Sequence, residues 1–399
     1  MSKRQIRIHH CGYYGYAAAV VFLASFAGAV SWHARQYAPS NVVADCKTLA
    51  TSSVCYSERI KEVFGRDGLS SAFDLVAYVY ANDARFADNC HGEMHVLGAD
   101  AYALFVQQKP ITLNDKASSC GYGFYHGFMQ ALLYATHDYA DARAFCAYAG
   151  KQVPYPEGYT EGACYHGIGH GFTDGGDSSL VGNPVAMAVP GLEVCENVAS
   201  SVSAWEYRCY SGVFNSMAIL AQDPNNKIDM HDDPYLFCKT RGYDELKRRA
   251  CYAEMNTLVV AMSKRNIDKT MSYIDTIKDP AYRLRALESA LAVYGAYEPE
   301  AADLPQKVAH TCARYATPWQ EACVGAFVSG MLEMGTPGSQ QVAVLALCSS
   351  SELTAAMQGA CYTQLIDVPQ IVFDQTTMQA MCEATPSQYR AILKTCATI

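Results

Sequence analysis

The chain has 399 residues, half of them hydrophobic and 17% charged, with a formal net charge of −9. That apolar share is enough for a sizeable core and excludes a largely disordered chain. The first 35 residues carry only basic charge (Lys3, Arg4, Arg7, Arg35), so the remainder is more acidic than the whole. An acidic body argues against nucleic acid as a partner, because such affinity rests on basic side chains neutralising phosphates.

In chain order, the first predicted element is apolar. Lys3, Arg4 and Arg7 precede an uncharged stretch from Cys11 to Trp32. It is long enough to span a bilayer, with its basic flank kept cytoplasmic. Ala27-Gly28-Ala29 also fits a small-x-small cleavage site, so a cleaved signal peptide is the alternative. Both readings place the bulk of the chain outside the cytoplasm, in a periplasm or at the cell exterior. Residues 1–35 are therefore read as basic tail and membrane anchor, 36–57 as an extended or irregular linker, and 58–399 as a helical-repeat domain.

The 17 cysteines agree with that compartment. No CxxC pair occurs, so metal-finger and redox motifs are absent, and wide spacing suits disulfides. One set of cysteines opens apolar stretches at Cys90, Cys120, Cys164, Cys209, Cys251, Cys323 and Cys361. A second set precedes the openers at short range, at Cys146, Cys195, Cys238, Cys312 and Cys348, with Cys382 before Cys396. Regular spacing of this kind is the mark of a repeat architecture.

The simplest unit is a helical hairpin: a short helix starting near the first cysteine, a turn, then a longer apolar helix launched by the second. Helix formers dominate, Pro184, Pro190 and Pro224 fall between units, and no period-two alternation suggests a sheet. The expected disulfides are Cys146–Cys164, Cys195–Cys209, Cys238–Cys251, Cys312–Cys323, Cys348–Cys361 and Cys382–Cys396, leaving Cys46–Cys55 and Cys90–Cys120 by elimination. Spacing alone permits other connectivities. The fold class is all-α: disulfide-stapled helical-hairpin repeats, either an α-solenoid or an α/α toroid, behind a membrane-spanning helix. An insertion near 268–305 contains a further amphipathic helix, with Asp279 as N-cap and Pro280 at its first position.

Five histidines fall on three successive openers: His91 and His95, His126, His166 and His170. Positions i and i+4 share a helix face, so the two pairs can each grip one ion. His126 and His170 stand six residues after their opener cysteines, and His95 five. Stacked repeats would bring all three together, as a transition-metal site needs; imidazole suits Zn, Cu and Fe alike. Asn215 takes the equivalent place in the next repeat, so the imidazoles stop where the cysteine frame continues. The plain alternative is a set of core histidines hydrogen-bonded to tyrosines and carbonyls.

Gly121, Gly123 and Gly127 surround His126, and Gly167, Gly169 and Gly171 alternate around His166 and His170. Each interior helical glycine costs about 1 kcal/mol relative to alanine, so the bare backbone has a use, in close helix packing or in room for a ligand. His91-Gly-Glu-Met-His95 is not the H-E-x-x-H motif, because Glu93 points away from the face its histidines share. Asp174 after His170 can supply an oxygen ligand or cap a turn. Arg241, Lys247, Arg248 and Arg249 form a basic patch read as a solvated face, and Asp229 to Asp233 reads as a solvated loop.

The Cys90-His91-Gly92 triplet within a helical repeat resembles the zinc-binding Cys-His-Gly of the lanthionine cyclases, which are seven-fold helical toroids, and seven openers are counted here. The likeness covers three residues and that count. The family's separate zinc cysteine in its Gly-x-Pro-Gly context is absent. What the resemblance implies is a closed toroid as one arrangement of the hairpins. Two functions follow from the whole reading. One is a metal-dependent oxidoreductase or hydrolase using the five histidines; the other is a non-catalytic scaffold for a protein partner in a membrane or envelope assembly.

Overall fold

The computed structural model describes residues 37–397, apart from 137–138, 155–158, 175–179, 181, 200–202, 298–300, 335–338 and 368–374. The expected membrane anchor lies outside these residues. Among the described residues no helix is long and apolar enough to cross a membrane. They form nineteen α-helices with short 3-10 turns and no strand.

The chain divides into two compact units, to Val79 and from Tyr80 onward. In the first, α1 (Pro39–Cys46) packs on α2 (Ser52–Asp67), stapled by Cys46–Cys55. This corrects the expected linker at 36–57. Pro39 starts α1 at a position where its missing N–H costs nothing, and Val42 and Cys46 are fully buried. The guanidinium of Arg66 lies 3.9 Å over the Tyr37 ring. Helix α3 covers Leu69–Asn82.

In the second unit the long helices are α4 (Ala87–Val106), α5 (Gly123–Thr136), α7 (Tyr159–Asp174), α9 (Ser203–Leu220), α10 (Glu245–Glu254), α13 (Pro280–Tyr297), α15 (Trp319–Met334) and α17 (Ala355–Asp367). Each packs on the next in that order. Between them run the connecting helices, most of them shorter: α6 (Tyr139–Gln152), α8 (Pro184–Ala199), α11 (Asn256–Met262), α12 (Ile267–Asp275), α14 (Leu304–Cys312) and α16 (Gln340–Cys348). Helices α18 (Gln375–Ala384) and α19 (Ser387–Arg390) close the chain.

All eight disulfides pair as the spacing suggests. The first cysteine of a hairpin ends its short helix instead of starting it, as Cys312 and Cys348 show. Cys46–Cys55, Cys195–Cys209, Cys312–Cys323 and Cys348–Cys361 thus tie the close of one helix to the first turns of the next. Such a clamp stabilises by about 3 kcal/mol for loops of this size.

Three further readings change in detail. Pro190 lies inside α8, where it removes one backbone hydrogen bond, and not between units. The insertion helix is α13, and Asp279 accepts from the Ala281 N–H at 2.8 Å as its cap. The basic patch is largely engaged and not a free solvated face. Lys247 is 11% exposed between Glu196 at 2.7 Å and Asp244 at 2.8 Å, and Arg249 sits over the Tyr207 ring at 5.2 Å.

The glycines explain how the row packs. A β-carbon on Gly123 or Gly127 of α5 would collide with the carbonyls of His91 and His95 on α4. One on Gly167 of α7 would stand 2.8 Å from the Tyr125 backbone of α5, and one on Gly171 would stand 2.6 Å from the Gln130 nitrogen. Gly169 of α7 and Gly212 of α9 meet the Cys209 and His166 carbonyls in the same way. Backbones thus touch backbones at four helices in succession. Of the two uses open to these glycines, close packing is the one that Gly123, Gly127, Gly167, Gly169 and Gly171 serve, whereas Gly121 sits in a turn with left-handed φ.

Candidate functional site

The close packing fixes where the histidines fall. Gly123 and Gly127 are one turn apart on α5 and receive the carbonyls of His91 and His95, themselves one turn apart on α4. That register sets His126 against both: its ring centroid is 5.1 Å from that of His91 and 6.3 Å from that of His95. On the other flank, Gly167 and Gly171 seat α7 so that His126 is 5.2 Å from His166 and 4.0 Å from His170. The five imidazoles predicted from sequence are therefore neighbours, with His126 touching the other four.

The site is graded in exposure. His91 lies at the solvent edge and His95 is half-buried, whereas His126, His166 and His170 are buried. Burial lowers the affinity of His91 and His95 for protons, and it holds His126 and His166 well below the ordinary histidine range. Neighbouring imidazoles add to the effect at His126, and the Arg208 guanidinium does so at His166. Neutral rings carry the lone pairs that metals need.

Their hydrogen bonds fix tautomers. Nδ1 of His91 stands 2.9 Å from the carbonyl oxygen of Cys120. A carbonyl only accepts, so Nδ1 carries the proton and Nε2 keeps its lone pair. That carbonyl is held by a turn in which Cys120, Gly121 and Tyr122 all take left-handed φ (56°, 64° and 65°), and by the Cys90–Cys120 bridge. Cysteine and tyrosine adopt such angles at a cost, which the disulfide helps to hold.

His166 is oriented from the other side. Ser211 Oγ, on α9, lies 2.8 Å from His166 Nδ1 and 2.8 Å from the Arg208 carbonyl. The single hydroxyl proton goes to that carbonyl or to the Glu254 carboxylate, neither of which donates in return, so Ser211 accepts from His166 Nδ1 and again leaves Nε2 unprotonated. At His170, Asp174 Oδ2 stands 3.0 Å from Nδ1, off the line of a hydrogen bond. Burial works against the Asp174 charge, but the contacts with His170 and Ser216 hold the carboxyl below its usual range.

Several partners were not apparent in the sequence. Ser211 stands two residues after Cys209, as His166 does after Cys164, so its place in the repeat was visible but its type carried no signal. The Cys120 carbonyl has no side-chain signature at all. Glu254 of α10 accepts from Asn215 Nδ2 at 3.2 Å and lies within hydrogen-bonding reach of Ser211; burial pushes its carboxyl up to about 7. Tyr122 packs its ring 5.8 Å from His166 and takes a contact from Arg208 Nη2 at 3.4 Å.

Among the described residues no three His, Cys, Asp or Glu side chains converge as a ready-made metal-binding group in this conformation. One geometric reason is the stack of His126 on His170, with rings 11° from parallel. Lone pairs lie in the ring plane, so stacked rings aim theirs side by side. Compared with known proteins, the chain matches no family model, no curated protein and no solved structure.

Proposed function

We propose that this chain is a membrane-anchored, extracytoplasmic helical-repeat protein that binds a transition metal (Zn, Cu or Fe) through His91, His95, His126, His166 and His170, and uses it as an oxidoreductase or hydrolase. The observation that carries the reading is the orientation of His91 and His166. Each has its Nδ1 turned to a fixed acceptor, the arrangement that outer groups impose on metal-binding imidazoles so that Nε2 can ligate. The exposed edge at His91 supports a catalytic use, because a ligated ion there would meet substrate and solvent.

The row of long helices, each packed on the next, supports a helical-repeat arrangement, an α-solenoid or an α/α toroid. The test is elemental analysis of the full chain, exported through an oxidising compartment and purified without a histidine tag. One or two equivalents of Zn, Cu or Fe are expected, lost in His126→Ala and in a His166→Ala/His170→Ala variant that keeps native helix content. No stoichiometric metal after reconstitution would overturn the metal reading and favour the non-catalytic scaffold for a protein partner.

A further inference from the structure

A neutral imidazole presents one donor and one acceptor, and burying either without a partner is costly. Both ring nitrogens of His126 are buried and have no hydrogen-bond partner, and the residue is 2% exposed. It occupies the first turn of α5, between two i,i+4 pairs on the helices to either side. Five imidazoles also exceed the four positions of a tetrahedral ion.

We propose that His126 is a bridging imidazolate between two metal ions, one held with His91 and His95 and the other with His166 and His170. This rests on the metal reading above. Each ion then receives one imidazole of fixed tautomer (His91 or His166), its partner one turn on, and one nitrogen of His126. Asp174, beside His170, adds an oxygen on the second side. The bridge answers both orphaned nitrogens at once, which no single ion and no core packing does.

The proton balance is simple. The first ion binds the lone pair of neutral His126; the second replaces the proton on the other nitrogen, and that proton leaves to the buffer. The other four rings ligate as neutral bases and release nothing, and no electron moves. His170 has to turn out of its stack on His126 to reach the second ion.

Copper is the probe because two Cu2+ ions joined through an imidazolate couple magnetically. The metal-free full chain, in detergent at about pH 8 where unperturbed histidines are neutral, is titrated with Cu2+. Expected are two equivalents bound, one proton released with the second, and a low-temperature paramagnetic resonance signal that collapses as the second equivalent enters. His126→Gln should leave the two ions uncoupled, with a signal twice that of one equivalent. Two ions with additive signals in the wild type, or one ion alone, would overturn the bridge and leave the metal reading standing. No bound copper would overturn both. The wild-type signal decides the matter without the variant, should the buried substitution fail to fold.

Discussion

Glu254 joins the electrostatics of the row to its stability. Burial pushes its carboxyl up to about 7, against the Arg208 charge and the bonds from Asn215 and Ser211. An unfolded glutamate titrates near ~4.3, so below that pH both states are protonated and the fold loses nothing. As pH rises from about 4.3 to about 7 the unfolded chain ionises first, and stability falls until the native carboxyl ionises too. Glu254→Gln of the metal-free protein should remove that loss. Its denaturant midpoint should match the wild type near about pH 4 and exceed it at about pH 8, by on the order of 2 kcal/mol after allowing for residual exposure. Ser211→Ala acts on the neighbouring bond. Loss of the acceptor for His166 Nδ1 should weaken zinc binding about 10- to 100-fold with little change in folding, read by competition with a chromophoric chelator.

At the scale of the element, glycine decides how closely helices approach. Gly127 and Gly92 belong to adjacent helices, and their environments are opposite. A β-carbon at Gly127 meets the His95 carbonyl, whereas one at Gly92 meets nothing within 4 Å. Gly127→Ala should force α4 and α5 apart and destabilise the protein by about 1–3 kcal/mol. Gly92→Ala should stabilise it by about 0.5–1 kcal/mol through helix propensity. Paired chemical denaturation curves test both signs. The same contrast shows what a sequence makes legible. All the glycines flanking the histidines were visible as an expense, and packing and ligand room were equally good reasons for it. The choice between them depends on which carbonyl of a neighbouring helix lies opposite, a contact between residues some thirty or more positions apart. Most of the cysteine frame is legible for the converse reason: every bridge but Cys90–Cys120 joins residues 9 to 18 apart, so spacing narrows the partner. Helix α1 is not legible in the sequence because its 8 residues are too few for a periodic signal. The five histidines were found because i,i+4 spacing survives in any helix; Ser211, Glu254 and the Cys120 carbonyl were not, since their roles come from register between helices.

For the molecule as a whole, eight bridges, seven of them short-range, divide the work of stability among successive hairpins. Removing Cys348–Cys361 should cost about 3 kcal/mol and leave zinc affinity unchanged, because that bridge lies in the hairpin of α16 and α17. Removing Cys90–Cys120 should lower both, since the same bridge holds the turn that presents the Cys120 carbonyl to His91. Thermal melts and zinc titrations of the two cysteine-to-serine pairs separate a purely structural staple from one that also positions a side chain.

Contact from each long helix to the next also governs how such a chain can change in number of units. The histidines sit on α4, α5 and α7, and their outer partners on α9 and α10. A hairpin duplicated or deleted beyond α10 alters the length of the row and leaves every imidazole beside its neighbours. One inserted between α5 and α7 would part His126 from His166 and His170 by the width of a helix, about 10 Å, while every staple and every glycine seat could still form. Copy number is thus free at one end of the row and frozen at the other, and a lineage of such chains should vary in length only on the far side of Glu254.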